Sequence, residues 1–137
     1  MEYVLDGSFA LAWVLPDETS PDADRFVDRL TLHDVLWVPT LWWYEVSNGL
    51  AMAQRRRRLA EVDRFRAIAL LAKLPIRTEA QVGAVAIRRL SALALATGLS
   101  AYDAAYLDLA VQKGIGLASQ LSKLEPTSPI TLTSPPM

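Results

Sequence analysis

The chain has 137 residues, 52% of them apolar, with a net charge of −1 at pH 7, which suits one domain with a proper core and leaves any nucleic-acid contact to a local basic patch. It has no cysteine and one histidine, His33, which excludes disulfide frameworks, thiolate metal sites and any site needing two imidazoles. No apolar stretch approaches the roughly 20 residues of a membrane span, and no charged segment leads into an apolar signal core, so a soluble, cytoplasmic protein is expected.

Met1 to Asp6 reads as a short buried strand, because Tyr3, Val4 and Leu5 follow one another without polar alternation. Gly7-Ser8 turns into an apolar helix that ends at Pro16. A polar connection from Asp17 to Asp24 leads to a helix over Ala23–Leu32. Val35–Val38 is a second buried strand, stopped by Pro39, and Thr40 is placed to cap a helix over Leu41–Arg55. A further helix spans Ala60–Lys73 and ends before Pro75. Thr78 with Gln81 resembles a capping box opening a long helix to Thr97, terminated by Gly98. Ser100 with Asp103 repeats the arrangement for a helix to Lys113. Leu117-Ala118 and Ile130–Leu132 read as the last strands, before a frayed tail from Thr133 to Met137. Unalternating strands separated by helices predict a short parallel sheet with helices on both faces, a three-layer α/β/α domain over residues 1–137. Ligands of such sheets bind at the carboxyl ends of the strands, where Asp6 falls.

Three acids stand in apolar surroundings: Asp6 after Tyr3-Val4-Leu5, Glu45 within Leu41-Trp42-Trp43-Tyr44-Glu45-Val46, and Asp103 within Tyr102-Asp103-Ala104-Ala105-Tyr106-Leu107. A buried charge is costly unless it is paired or binds a cation. Each acid taken alone has an ordinary reading. Asp6 could cap a turn, Glu45 could lie on a helix surface, and Asp103 could serve only the start of its helix.

Taken in series, Val4-Leu5-Asp6-x-Ser8, Val38-Pro39-x-Leu41-x-x-x-Glu45-Val46-x-Asn48 and Leu99-Ser100-x-Tyr102-Asp103-Ala104-x-Tyr106-Leu107-x-Leu109-Ala110 resemble the PIN-domain ribonucleases. Among these, the VapC toxins of bacterial toxin–antitoxin pairs are the nearest pattern. The resemblance covers nearly the whole chain. It implies that Asp6, Glu45 and Asp103 hold one or two Mg²⁺ or Mn²⁺ ions, with Ser8, Asn48 and Ser119 in support. Hard cations take carboxylate oxygens, lower the pKa of water for attack on an RNA phosphodiester and offset charge on the phosphate. A cognate antitoxin and a homodimer are also implied. One departure stands out: the family pattern Leu-Ala-Thr-x-Asp is met here by Leu117-Ala118-Ser119-Gln120-Leu121, which puts Leu121 where a fourth acid is expected. Asp108 is a poor substitute, since five residues turn it about 140° away from Asp103 around a helix, and Glu125 falls in an unmatched loop. The gap motivates an alternative in which the domain cleaves weakly or not at all and acts through antitoxin or RNA binding. An aspartyl-phosphate hydrolase would need an acid where Ser8 stands.

Other features have plainer readings. Arg55-Arg56-Arg57-Arg58 is either a phosphate or partner contact or a solvated helix end, and Arg88-Arg89 is weaker still. Asp17, Glu18, Asp22 and Asp24 read as a solvated loop with caps. His33-Asp34 lacks a nucleophile-elbow serine, and Gly114-x-Gly116 is a turn rather than a dinucleotide loop. Trp37, Trp42, Trp43 and Tyr44 are expected mostly in the core, with one ring open to an interface.

Overall fold

The computed structural model describes residues 1–18 and 20–118. The elements run β1 (Glu2–Leu5), α1 (Gly7–Val14), α2 (Pro21–Asp28), β2 (Val35–Pro39), α3 (Thr40–Arg55), α4 (Glu61–Ala72), β3 (Ile76–Glu79), α5 (Gly83–Thr97), α6 (Ala101–Lys113) and β4 (Gly116–Ala118). The strands form one parallel sheet in the order β3-β2-β1-β4. The chain steps from β1 outward to β3 and then returns to the other side of β1. The reversal lies between β1 and β4, the place where open α/β sheets leave a crevice for ligands. There Asp6 donates its N–H to the carbonyl of Ala118 at 2.9 Å.

Alternation along the strands divides the core. Tyr3 points to one face, where its ring meets Phe26 of α2 edge-on at 5.1 Å, and Phe26 in turn meets Phe9 of α1 at 5.5 Å. Trp37, level with Val4, points to the other face, under α6, where the Lys113 ammonium lies 3.7 Å from the ring centroid. Phe9, Leu36, Trp42 and Leu109 are fully buried between these layers. The fold is the α/β arrangement of a parallel sheet with flanking helices that the sequence predicts.

Local signals explain most boundaries. Ser20 caps α2 by accepting the Ala23 N–H, and Ser100 caps α6 by accepting the Asp103 N–H at 3.1 Å. Gly98 and Gly114 end α5 and α6 in the left-handed region. Some expectations fail. Thr40 is the first residue of α3 rather than its cap, and Pro39 makes no side-chain cap bond. The helix expected over 23–32 begins at Pro21, a residue pre-set for a first turn, and stops at Asp28. Thr78 opens no helix: it lies in β3, and its hydroxyl accepts from Trp43 Nε1 at 2.9 Å. Gln81 instead reaches across to α6. Ser119, Leu121, Glu125, Ile130–Leu132 and the tail lie outside the described residues.

α1 and α3 cross closely because glycine stands at the contact. A Cβ on Gly49 would come 2.4 Å from Leu11 Cδ1, well inside van der Waals contact. The same approach sets Gly7 against Glu45 one turn earlier on α3.

Candidate active site

Asp6 ends β1 and caps α1. Its carboxylate accepts from the Ser8 hydroxyl at 2.8 Å and, more loosely, from the Ser8 backbone N–H at 3.5 Å. It is half-buried while Ser8 is exposed. Glu45 sits in the second turn of α3, where Trp42 and Val46 hold the buried side of the helix and leave Glu45 half-buried. Asp103 lies in the first turn of α6 and is exposed. All three thus stand near helix N-termini at the carboxyl edge of the sheet.

The electrostatics tie them together. Burial raises the Glu45 carboxyl above its ordinary value; a hydrogen bond from Tyr106 opposes the rise, and the negative charges of Asp6 and Asp103 add to it. The acids the sequence singles out therefore share one neighbourhood. Among the described residues no three acidic or imidazole side chains close into a ready ion cage. What the three acids bring to this neighbourhood is a set of hard oxygen donors.

Two residues not assigned a role from sequence complete it. Tyr106 of α6 is buried, and its hydroxyl donates to Glu45 Oε1. Burial, the Glu45 bond, and the charges of Glu45 and Asp6 push the phenol far above its ordinary range; the nearby Gly7 backbone amide opposes them. Gly7, buried at the start of α1, leaves the space for this pairing: a Cβ there would lie 3.1 Å from Glu45 Oε1 and 3.3 Å from the Tyr106 hydroxyl. Tyr106 belongs to the third motif, but a tyrosine on a buried helix face and a glycine after a strand look like core and turn, so neither is given a role from sequence.

The remaining expected residues fall elsewhere. Asn48 is exposed on α3, and its side chain makes no hydrogen bond to another described residue. Ser119 and Leu121 lie beyond the described residues. Asp108 faces away from Asp103, as its spacing predicts. It is buried and accepts from Gln81 Nε2 at 3.1 Å, Arg89 Nη2 at 2.9 Å and Gln112 Nε2 at 2.7 Å. Arg58 is engaged by Asp17 at 2.6 Å and Glu18 at 3.6 Å, so part of the arginine run is a structural clamp on the loop after α1. Asp22 pairs with Arg25 within α2. His33 is exposed, and Asp34 accepts from Thr31 rather than from the imidazole, so no catalytic dyad forms.

A groove of about 840 Å³ opens between α3, α4 and β3, floored by Trp42, Trp43, Leu50, Ile68, Leu71 and Ile76. Arg55, Arg64 and Gln54 form its polar end, with Arg64 Nε donating to Gln54 at 2.6 Å. Neither guanidinium pairs with a carboxylate among the described residues. The Trp42 indole N–H, buried beneath the groove, has no hydrogen-bond partner among them either. Trp43 and Tyr44 are the exposed rings of the aromatic cluster, while Trp42 is core. On the opposite side α5 buries none of its residues and shows Val85, Ile87 and Leu95 to solvent. Among the described residues no single helix is long and apolar enough to cross a membrane; α5 and α6 reach that length only as a pair bent by 103°.

Comparison with known proteins agrees with the geometry. Residues 3–120 match the family model described as PIN domain. The chain is 33% identical over 115 residues to Ribonuclease VapC3 of Pyrobaculum aerophilum, spanning 83% of this chain and 85% of that protein. With the parallel sheet, the three acids at its carboxyl edge and a match over nearly its full length, the chain belongs to the PIN-domain family, among its VapC-like members.

Proposed function

We propose that the protein is a Mg²⁺- or Mn²⁺-dependent endoribonuclease, the toxin of a VapBC-type toxin–antitoxin pair acting in the cytoplasm. The observation that carries this reading is the shared electrostatic neighbourhood of Asp6, Glu45 and Asp103, in which burial raises the Glu45 carboxyl and the charges of Asp6 and Asp103 add to the rise. The name of the relative, Ribonuclease VapC3, supports RNA as the substrate.

The donor set fits a hard divalent ion. Three carboxylates from three parts of the fold offer oxygens only, the donors that a hard divalent ion takes while keeping several waters. Asp6, Glu45 and Asp103 would hold it. When bound, such an ion offsets charge on the phosphate oxygens and makes water a stronger nucleophile at neutral pH. The chain's own residues do the rest. Ser8 fixes the Asp6 carboxylate through the 2.8 Å bond. The positive ends of α1 and α6 favour anions at Asp6 and Asp103 and so favour a phosphate brought alongside them. Asn48 and Ser119 are supporting positions.

The groove between α3, α4 and β3 suits the antitoxin. An apolar floor with two arginines at one end complements an amphipathic segment carrying acidic residues. The apolar face of α5 suits a second copy of the chain in a homodimer.

The test is RNA cleavage in Mg²⁺ or Mn²⁺ by the native protein and by Asp6→Asn. Cleavage that is lost in the variant and in chelator is expected. A native protein that cleaves no RNA under any metal condition refutes the enzyme. Leu121, at the position of the family's further acid, favours one second reading, a binding module that cleaves weakly or not at all. The same assay, paired with antitoxin binding, separates the two.

A further inference from the structure

We propose that Tyr106 and Gly7 act together as a positioning pair that sets the Glu45 carboxylate for the cation; this rests on the metal reading above. A carboxylate has two oxygens and turns freely about its last bond, so an acid on a helix surface does not by itself present a fixed oxygen to an ion. Here one oxygen is taken. The Tyr106 hydroxyl donates to Glu45 Oε1, which leaves the other oxygen for a cation.

Gly7 contributes the space in which this bond forms. Its backbone is outside the left-handed region, so conformation does not require glycine. The requirement is steric, since a Cβ would press on Glu45 Oε1 at 3.1 Å and on the phenol at 3.3 Å.

Tyr106 also links two of the acids mechanically. It stands three residues after Asp103 on α6, on the same side of the helix. One rigid helix therefore carries Asp103 and the group that orients Glu45, while α1 carries Gly7 directly after Asp6. Each pairing in the site is fixed by a neighbour of another acid.

The experiment is a Mn²⁺ titration of the full chain, reading free Mn²⁺ by electron paramagnetic resonance, with circular dichroism to establish folding. Tyr106→Phe keeps the ring and removes only the hydroxyl. It is expected to weaken Mn²⁺ binding about tenfold, as loss of a partner to a ligand commonly does. Gly7→Ala is expected to do the same by displacing the pair. In a Glu45→Gln background Tyr106→Phe should cost nothing further, a result that a merely structural tyrosine would not give. Native affinity in either folded variant overturns the proposal, and so does an undiminished tenfold loss in the Glu45→Gln background. If Tyr106→Phe does not fold, Gly7→Ala carries the test. A native protein that binds no Mn²⁺ defeats the metal reading and this inference with it; native binding matched by the variants defeats this inference alone.

Discussion

Asp108 is the most exacting test of which acids belong to the site, because it is the one spare carboxylate on the helix that carries Asp103. Its side chain accepts from Gln81, Arg89 and Gln112, and so joins the segment after β3 to α5 and α6. Gln81 also donates to the Ala105 carbonyl at 3.2 Å, which fixes the amide's orientation. Asp108→Asn keeps the volume and opens no cavity. It replaces a charge-assisted bond from Arg89 by a neutral one, a difference of about 1 kcal/mol. That figure needs discounting, since the Arg89 side chain is 44% exposed and can rehydrate. It also sets an amide N–H₂ against donors that cannot all turn away, worth roughly another 1 kcal/mol for a buried mismatch. Relief of carboxylate desolvation offsets part of the sum.

The net expectation is a loss of roughly 1–2 kcal/mol, which for a domain of this size lowers Tm by about 3–8 °C. Thermal melts followed by circular dichroism measure it, with Mn²⁺ affinity determined on the same samples below the transition. Affinity should be unchanged, because Asp108 is turned to Gln81, Arg89 and Gln112 and away from Asp103. A variant that melts at the native temperature yet binds Mn²⁺ tenfold more weakly would refute the reasoning. It would make Asp108 the fourth acid that Leu121 leaves missing.

Other outcomes follow from the same geometry. Because the folded Glu45 carboxyl is raised, the native state holds a proton that the unfolded chain has released above its ordinary 4.5. Metal-free stability should therefore fall as pH rises through that window, and Asp103→Asn should flatten the slope; equal slopes in urea melts across pH 4 to 7 would contradict the shared-charge picture. Ile68 is 44% exposed in the groove, so Ile68→Asp should leave stability within about 1 kcal/mol while weakening antitoxin binding at least tenfold by calorimetry; unchanged affinity would place the antitoxin elsewhere. Arg58, Asp17 and Glu18 are each about 40% exposed, so Arg58→Ala should shift stability by under about 1 kcal/mol and leave RNA binding in filter assays unaltered.

The sequence was most legible where one signal dominated. The apolar runs of β1 and β2 and the serine cap of α6 are local, and each predicts its element closely. β3 was missed because Ile76-Arg77-Thr78-Glu79 is an edge strand with half its residues exposed, so it shows neither a long apolar run nor a clean buried face. Thr78 and Gln81 then imitate a capping box, although their partners, Trp43 and Asp108, are distant in sequence. The site divides in the same way. Asp6, Glu45 and Asp103 carry motif signals of their own. Gly7 and Tyr106 matter through a helix crossing, and no window of sequence contains that.

The three acids are not equally at ease without a cation. Asp6 caps α1 and is held by Ser8, and Asp103 lies in the first turn of α6, so both sit where a helix dipole favours negative charge. Glu45 is five residues beyond the start of α3, past the first turn where that effect operates, and it is the acid whose carboxyl burial and repulsion raise. Among the described residues its one compensating contact is the Tyr106 hydroxyl. Neutralising it should therefore help the metal-free fold, because a glutamine oxygen can still accept from Tyr106 while the repulsion disappears. Asp6→Asn gives up part of a cap and should be neutral or destabilising. Melting both variants in chelator separates the cases: Glu45→Gln should melt above the native protein and Asp6→Asn at or below it. The opposite order would mean that the strain of the site resides at the end of β1 rather than on α3.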